Sequence, residues 1–195
     1  MSHRRRALLN ILVTLFATVP PPPQRLLVFA RLPEPGEAYQ ETLRELIGSI
    51  GESSPETEIE FLWEPAPHAN GELLRRAFGN HTVAMQTGND RGERMSMAFS
   101  ERFFFHRTEK IVAIGVDDPA LPRALIDDAF SLLDSCEFVV GPAKGGGCYL
   151  LGCRALAFDP EVFGSRVLAE TLQKIRALGG TMALLPERSG IDTVG

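Results

Sequence analysis

At 195 residues the chain is long enough to bury one proper core and needs no second domain. An apolar share of 44% with 23% charged residues is that of a globular protein. The net charge of −5 gives no electrostatic case for nucleic-acid binding, which normally shows a basic face.

Residues 1–23 read differently from the rest. His3–Arg6 is basic, Ala7–Val19 is mostly apolar, and Pro20–Pro23 follows. A basic start before a short apolar run is signal-like. The run is too short for a stable membrane span of ~20 residues, and its small-x-small cleavage site is poor. The reading is an N-terminal extension or an upstream start, with the protein in the cytoplasm and export as the minor alternative. The prolines cannot continue a helix or a central strand, so the domain is placed at 24–195.

Leu26–Ala30 is a continuous apolar run of the buried parallel-strand kind. It ends in the turn-forming loop Arg31–Gly36. Leu43, Leu46, Ile47 and Ile50 fall at i, i+3, i+4 and i+7, which predicts a helix, and Ser53-Ser54-Pro55 breaks it. Glu58–Trp63 alternates Ile59, Phe61 and Trp63 as a second strand. Leu73, Leu74, Ala77 and Phe78 predict a short helix closed by Gly79-Asn80, and Thr82–Gln86 a third strand. Asp90-x-x-Glu93 starts a helix with Met95, Ala98, Phe99 and Phe103 on one face.

Lys110–Gly115 is the next strand. Pro122 suits a first helical position before Leu125, Ala129, Leu132 and Leu133. Phe138–Val140 and Cys148–Cys153 read as strands, Val167–Leu178 as a helix with Leu168, Thr171, Leu172 and Ile175 inward, and Met182–Leu185 as a last strand. Strands alternating with helices mean a mostly parallel sheet wrapped by helices, a three-layer Rossmann-like α/β/α fold. Three cysteines without C-x-x-C spacing and four scattered histidines argue against a disulfide framework or a zinc knuckle and suit a reducing compartment.

Two features carry chemistry. Asp117-Asp118-Pro119 ends a strand, where carboxylates can hold a hard divalent cation against a nucleotide's phosphates. The same residues are also ordinary turn formers. Gly145-Gly146-Gly147 lets a backbone approach a phosphate closely, or is simply a turn. It matches neither a P-loop nor the dinucleotide fingerprint, which also argues against a dehydrogenase. Arg91 and Arg94, at a helix start, can face an anionic ligand or solvent.

In order, G-N-D-R-G-E-R-M (Gly88–Met95), G-V-D-D-P-A-L (Gly115–Leu121), G-P-A-K-G-G-G-C-Y-L-L-G (Gly141–Gly152) and I-D-T (Ile191–Thr193) resemble a bacterial family of uncharacterised glycosyltransferase-like proteins. Phe29–Gly36 is similar to that family's first-strand loop. The resemblance implies the GT-A nucleotide-diphospho-sugar transferase fold, akin to molybdenum-cofactor and phospholactate nucleotidyltransferases. It implies Asp117 as the catalytic metal-binding aspartate and Asp192 as a second ligand on Mg²⁺ or Mn²⁺; Asp118, one residue along from Asp117, is read as a further metal-binding carboxylate that partly compensates for acids the family pattern has and this chain lacks. It further implies Arg31, Pro35, Gly36, Arg94, Gly146 and Gly147 as nucleotide-binding, with a nucleotide or nucleotide sugar as partner.

The chain departs from the family at several of these places. A K-T-R-L element after P-x-P-G is absent, the acid of D-G-G-Y-Y is Gly145, and the first acid of D-x-D-T is Gly190. Each lost charged contact weakens ligand binding by ~1.5–3 kcal/mol. A degraded transferase acting as a non-enzymatic binding or regulatory protein is therefore the alternative.

Overall fold

The computed structural model describes residues 24–31, 38–67, 69–164 and 168–189. Residues 1–23, Pro35, Gly36 and Asp192 lie outside the described residues. Seven strands form one sheet, ordered β3-β2-β1-β4-β6-β5-β7. They are β1 (Gln24–Ala30), β2 (Thr57–Trp63), β3 (Thr82–Met85), β4 (Lys110–Gly115), β5 (Phe138–Pro142), β6 (Cys148–Arg154) and β7 (Met182–Leu184). All neighbours pair in parallel except β6, which runs antiparallel to both β4 and β5. The sheet is thus mixed and mostly parallel.

The helices are α1 (Tyr39–Ile50), α2 (Gly71–Phe78), α3 (Arg91–Phe104), α4 (Arg123–Leu132) and α5 (Leu168–Ala177). Alternate strand residues face opposite sides, and each side has its own core. Leu26, Val28, Ile59, Phe61, Val112 and Ile114 pack under α1, α2 and α4. Leu27, Phe29, Leu62, Ile111, Ala113 and Val140 pack under α3 and α5. Three layers result.

Several expectations need correction. The alternation of Ile59, Phe61 and Trp63 marked only one face of β2, yet Glu60 and Leu62 on the other are buried as well, because α3 covers that face. Pro122 is the cap residue of α4, not its first helical residue, with ψ at 138°. The buried stripe of α4 is Ile126, Ala129, Phe130 and Leu133, while Leu125 and Leu132 sit half-buried beside it. Two apolar stripes overlap in that segment, and the sheet chose the one rotated toward Phe130.

Candidate active site

The connections from β1 through β2 to β3 step outward in one direction, and β4 then returns to the other side of β1. Such a reversal leaves a crevice at the carboxyl ends of the two central strands, where α/β proteins bind ligands. A cleft of about 350 Å³ opens there, lined by Phe29, Ala30 and Arg31 from the end of β1 and by Val116 and Asp117 from the end of β4. Tyr39, Glu64, Gln86 and the start of α3 complete its walls.

Each wall has a local cause. Asp90 caps α3, its Oδ1 accepting from the Glu93 N–H at 2.9 Å, while the Glu93 carboxylate accepts from the Asn89 N–H at 2.8 Å. This reciprocal cap is the one the D-x-x-E spacing predicts, shifted by one donor. Gly88, at φ +135°, brings the entering chain so close that a Cβ there would sit 2.8 Å from the Arg94 nitrogen. Gln86 donates its amide to Ala30 O at 3.0 Å and Leu62 O at 2.7 Å, tying together the ends of β1 and β2. Its side chain holds the cleft floor.

The Arg31 guanidinium lies 4.0 Å over the Tyr39 ring, and the Arg31 N–H donates to the Tyr39 hydroxyl at 3.0 Å. The cation thus rests on an aromatic face. Burial pushes the Tyr39 phenol well above its ordinary value; the Arg31 contacts oppose this, and the charges of Asp117 and Glu64 add to it. Tyr39 therefore stays neutral and senses both carboxylates. Arg94 pairs with Glu64 and donates to Gly88 O at 3.3 Å. Among the described residues of the lining, three arginines (31, 91 and 94) stand with three acids (Glu64, Asp90 and Asp117), so their formal charges balance. The Cys148 thiol is pushed up to about 11 by burial, against the charge of Arg91, which disarms it as a nucleophile.

The structure brings Arg31, Arg94 and Asp117 into one cleft. Asp118 meets a different partner: Arg188 grips it through two bonds, of 2.6 and 3.2 Å. Gly146 and Gly147 form the hairpin turn between β5 and β6. The Ala143 N–H donates to Gly147 O at 2.8 Å, and Gly146 adopts φ +84°, which demands glycine. Neither is among the described residues lining the cleft. Among the described residues no group of three or more His, Cys, Asp or Glu side chains is arranged to hold a metal. Sequence reasoning missed Tyr39, Glu64 and Gln86. The signal for the last two was position, since each directly follows a strand's carboxyl end.

The profile of a family described as an uncharacterized protein conserved in bacteria (DUF2064) matches residues 55–169. A solved structure of a candidate nucleotide-diphospho-sugar transferase from Desulfovibrio desulfuricans G20 superposes with a TM-score of 0.78 at 26% identity, over 87% of this chain and 82% of that one. A 4-diphosphocytidyl-2C-methyl-D-erythritol synthase from Anaerococcus prevotii superposes at 0.61 and 9% identity, over 90% and 93%. A manganese complex of a Mycobacterium tuberculosis H37Rv protein superposes at 0.51 and 14% identity, over 86% and 89%. No curated protein matches the sequence. The fold is that of nucleotide-diphospho-sugar transferases and nucleotidyltransferases.

Proposed function

Because the chain belongs to the bacterial DUF2064 family, we propose that it is a divalent-metal-dependent transferase acting on a nucleotide sugar or a nucleoside triphosphate seated in the cleft. The observation that carries this reading is Asp117, a carboxylate at the end of β4 in the wall of the switch-point crevice, facing the same space as Arg31 and the start of α3.

The donor set suits Mg²⁺ or Mn²⁺. Such ions are commonly held by one or two carboxylates, with substrate phosphates and water filling the other positions. Asp117 is the first ligand, and Asp192 is the candidate second. When bound, the ion neutralises the phosphates and the charge that develops on the leaving group. The chain's own residues do the rest by positioning. Arg31, braced on Tyr39, and Arg91, in the first turn of α3, flank the phosphate path. The α3 amino end adds its partial positive charge. Phe29, Met95 and Val116 supply apolar surface and exclude water. The manganese-bound neighbour supports a metal of this kind, and the three free thiols support a reducing, cytoplasmic setting.

Calorimetry with a panel of nucleoside triphosphates and nucleotide sugars plus Mn²⁺ tests the reading. Binding that Asp117→Asn weakens ~10–150-fold, the equivalent of one charged contact worth ~1.5–3 kcal/mol, is the expected result. No heat from any ligand, or an unchanged affinity in the variant, refutes it. One feature favours a second reading, that of a non-enzymatic nucleotide-binding protein: Glu64 already engages Arg94, one of three cationic groups in the lining. Binding without turnover of any member of the panel selects that alternative.

A further inference from the structure

We propose that Arg188 is a positioning residue that holds Asp118 so that Asp117 is aimed into the cleft; this inference rests on the transferase reading. Asp118 is 7% exposed, and a buried carboxylate needs partners. Arg188 supplies them across 70 positions of sequence, Nε donating to Oδ2 at 2.6 Å and Nη2 to Oδ1 at 3.2 Å. Nη2 also reaches Ala120 O at 3.3 Å, so one guanidinium grips the β4–α4 turn at two points. The turn is closed by the Leu121 N–H on Asp118 O at 3.1 Å.

Arg188 is itself immobilised. Its N–H donates to Pro142 O at 3.0 Å and its carbonyl accepts from the Lys144 N–H at 2.9 Å. Its guanidinium lies 5.9 Å from the centre of the Tyr149 ring, and the Tyr149 hydroxyl donates to Pro186 O at 3.1 Å. The clamp thus ties the end of β4 to the β5–β6 hairpin.

Pro119 biases Asp118 toward extended backbone, and the chain bends at Val116 and Asp117 just before it. The two neighbouring carboxylates leave this turn toward different partners, Asp117 in the cleft wall and Asp118 on the arginine. Fixing Asp118 therefore fixes the turn from which Asp117 leaves. A two-pronged arginine–carboxylate pair fixes orientation as well as distance, which suits a group whose task is to aim its neighbour. Lysine, a point charge, would fix distance alone.

The variants Arg188→Gln, Arg188→Lys, Asp118→Asn and the Arg188→Gln/Asp118→Asn double variant test the clamp through two readouts. The first is calorimetric affinity for the Mn²⁺ complexes of the four ribonucleoside triphosphates. The second is hydrogen exchange of the 116–121 amides, with the β2 amides as internal control. Arg188→Gln and Asp118→Asn are expected to weaken the Mn²⁺–nucleotide complexes ~10–100-fold each, as outer-shell changes do, and the double variant no further than either alone. Arg188→Lys recovers part of the loss. Exchange at 116–121 rises at least ~10-fold by the same reasoning, while β2 is unmoved. Wild-type affinity in Arg188→Gln, or unchanged exchange at 116–121, overturns the proposal. A wild-type protein that binds neither these four complexes nor any nucleotide sugar with Mn²⁺ overturns the transferase reading instead, and exchange at 116–121 still decides the clamp.

Discussion

Glu60→Ala gives the sharpest test of how the molecule is held together. Glu60 is 4% exposed in the middle of β2, between two buried guanidinium groups. Arg102 binds it at 2.6 and 3.0 Å, and Arg25 lies at 3.4 Å. Burial pulls the Arg102 guanidinium down, and the hydrogen bonds and charges of Glu60 and, after it, Glu101 together more than offset this, leaving it above its ordinary value. Removing one partner of a buried ion pair costs about 3–5 kcal/mol, because the remaining charge is stranded. Here the lower figure applies. Arg25 keeps Glu58 at 2.8 Å and Thr108 at 3.0 Å, and Arg102 keeps the half-exposed Glu101 at 2.6 Å. With a urea m-value of about 2 kcal/mol/M, a loss of about 3 kcal/mol moves the midpoint down by about 1.5 M. Glu60→Gln, which retains an acceptor oxygen, falls between. A Glu60→Ala midpoint within ~0.5 M of wild type would mean that the flanking acids suffice and the network is not cooperative.

Two further outcomes follow from single contacts. A Cβ at Gly141 would sit 2.5 Å from the Tyr149 ring, so Gly141→Ala overpacks by ~1–3 kcal/mol and lowers Tm by roughly 3–9 °C. A Tyr149→Leu background should remove much of that penalty, and failure to do so would place the clash elsewhere. Burial beside Phe61, 5.1 Å from ring to ring, holds the His81 imidazole below its ordinary value, with the Glu52 charge opposing. The unfolded chain then binds more protons than the folded one near pH 6. His81 thus contributes stability that is present above about pH 6.5 and lost as pH falls through its lower folded-state value. Urea midpoints at pH 7.5 and 5.0 should converge in His81→Asn, and an unchanged difference would acquit the residue.

The sheet was legible because its strands are runs of Leu, Val, Ile and Phe that both layers of helices cover. Lys110–Gly115 appears with its predicted bounds. The antiparallel course of β6 was not read, although the signal existed. Three glycines between two β-prone runs are what a short hairpin loop uses, and Gly146 at φ +84° is the residue that needed to be one. The place of Asp117 in the cleft wall was legible because it lies just past the carboxyl end of a central strand, where open α/β sheets leave their crevice. Its neighbour was not, because its partner Arg188 is 70 residues away and nothing local marks a long-range pair.

The same limit hid what fixes α3, and the two cases share a physical form. Arg94 in the first turn pairs with Glu64 just beyond β2, and Arg102 in the last full turn pairs with Glu60 inside β2. On the helix these arginines are eight residues apart, ~12 Å at 1.5 Å per residue. On the strand the glutamates are four apart, ~13 Å at 3.3 Å per residue. The spacings match only if helix and strand run alongside one another, so the two pairs fix both the slide and the direction of α3 against the sheet. Hydrophobic contact alone is non-directional and would tolerate a helix slipped by a turn. A slip of that kind would carry Arg91 and Arg94 about 5.4 Å from the wall they share with Asp117. The buried charges, costly as they are to desolvate, therefore act on the cleft from its far end: they set the register that brings the first turn of α3 level with the end of β4.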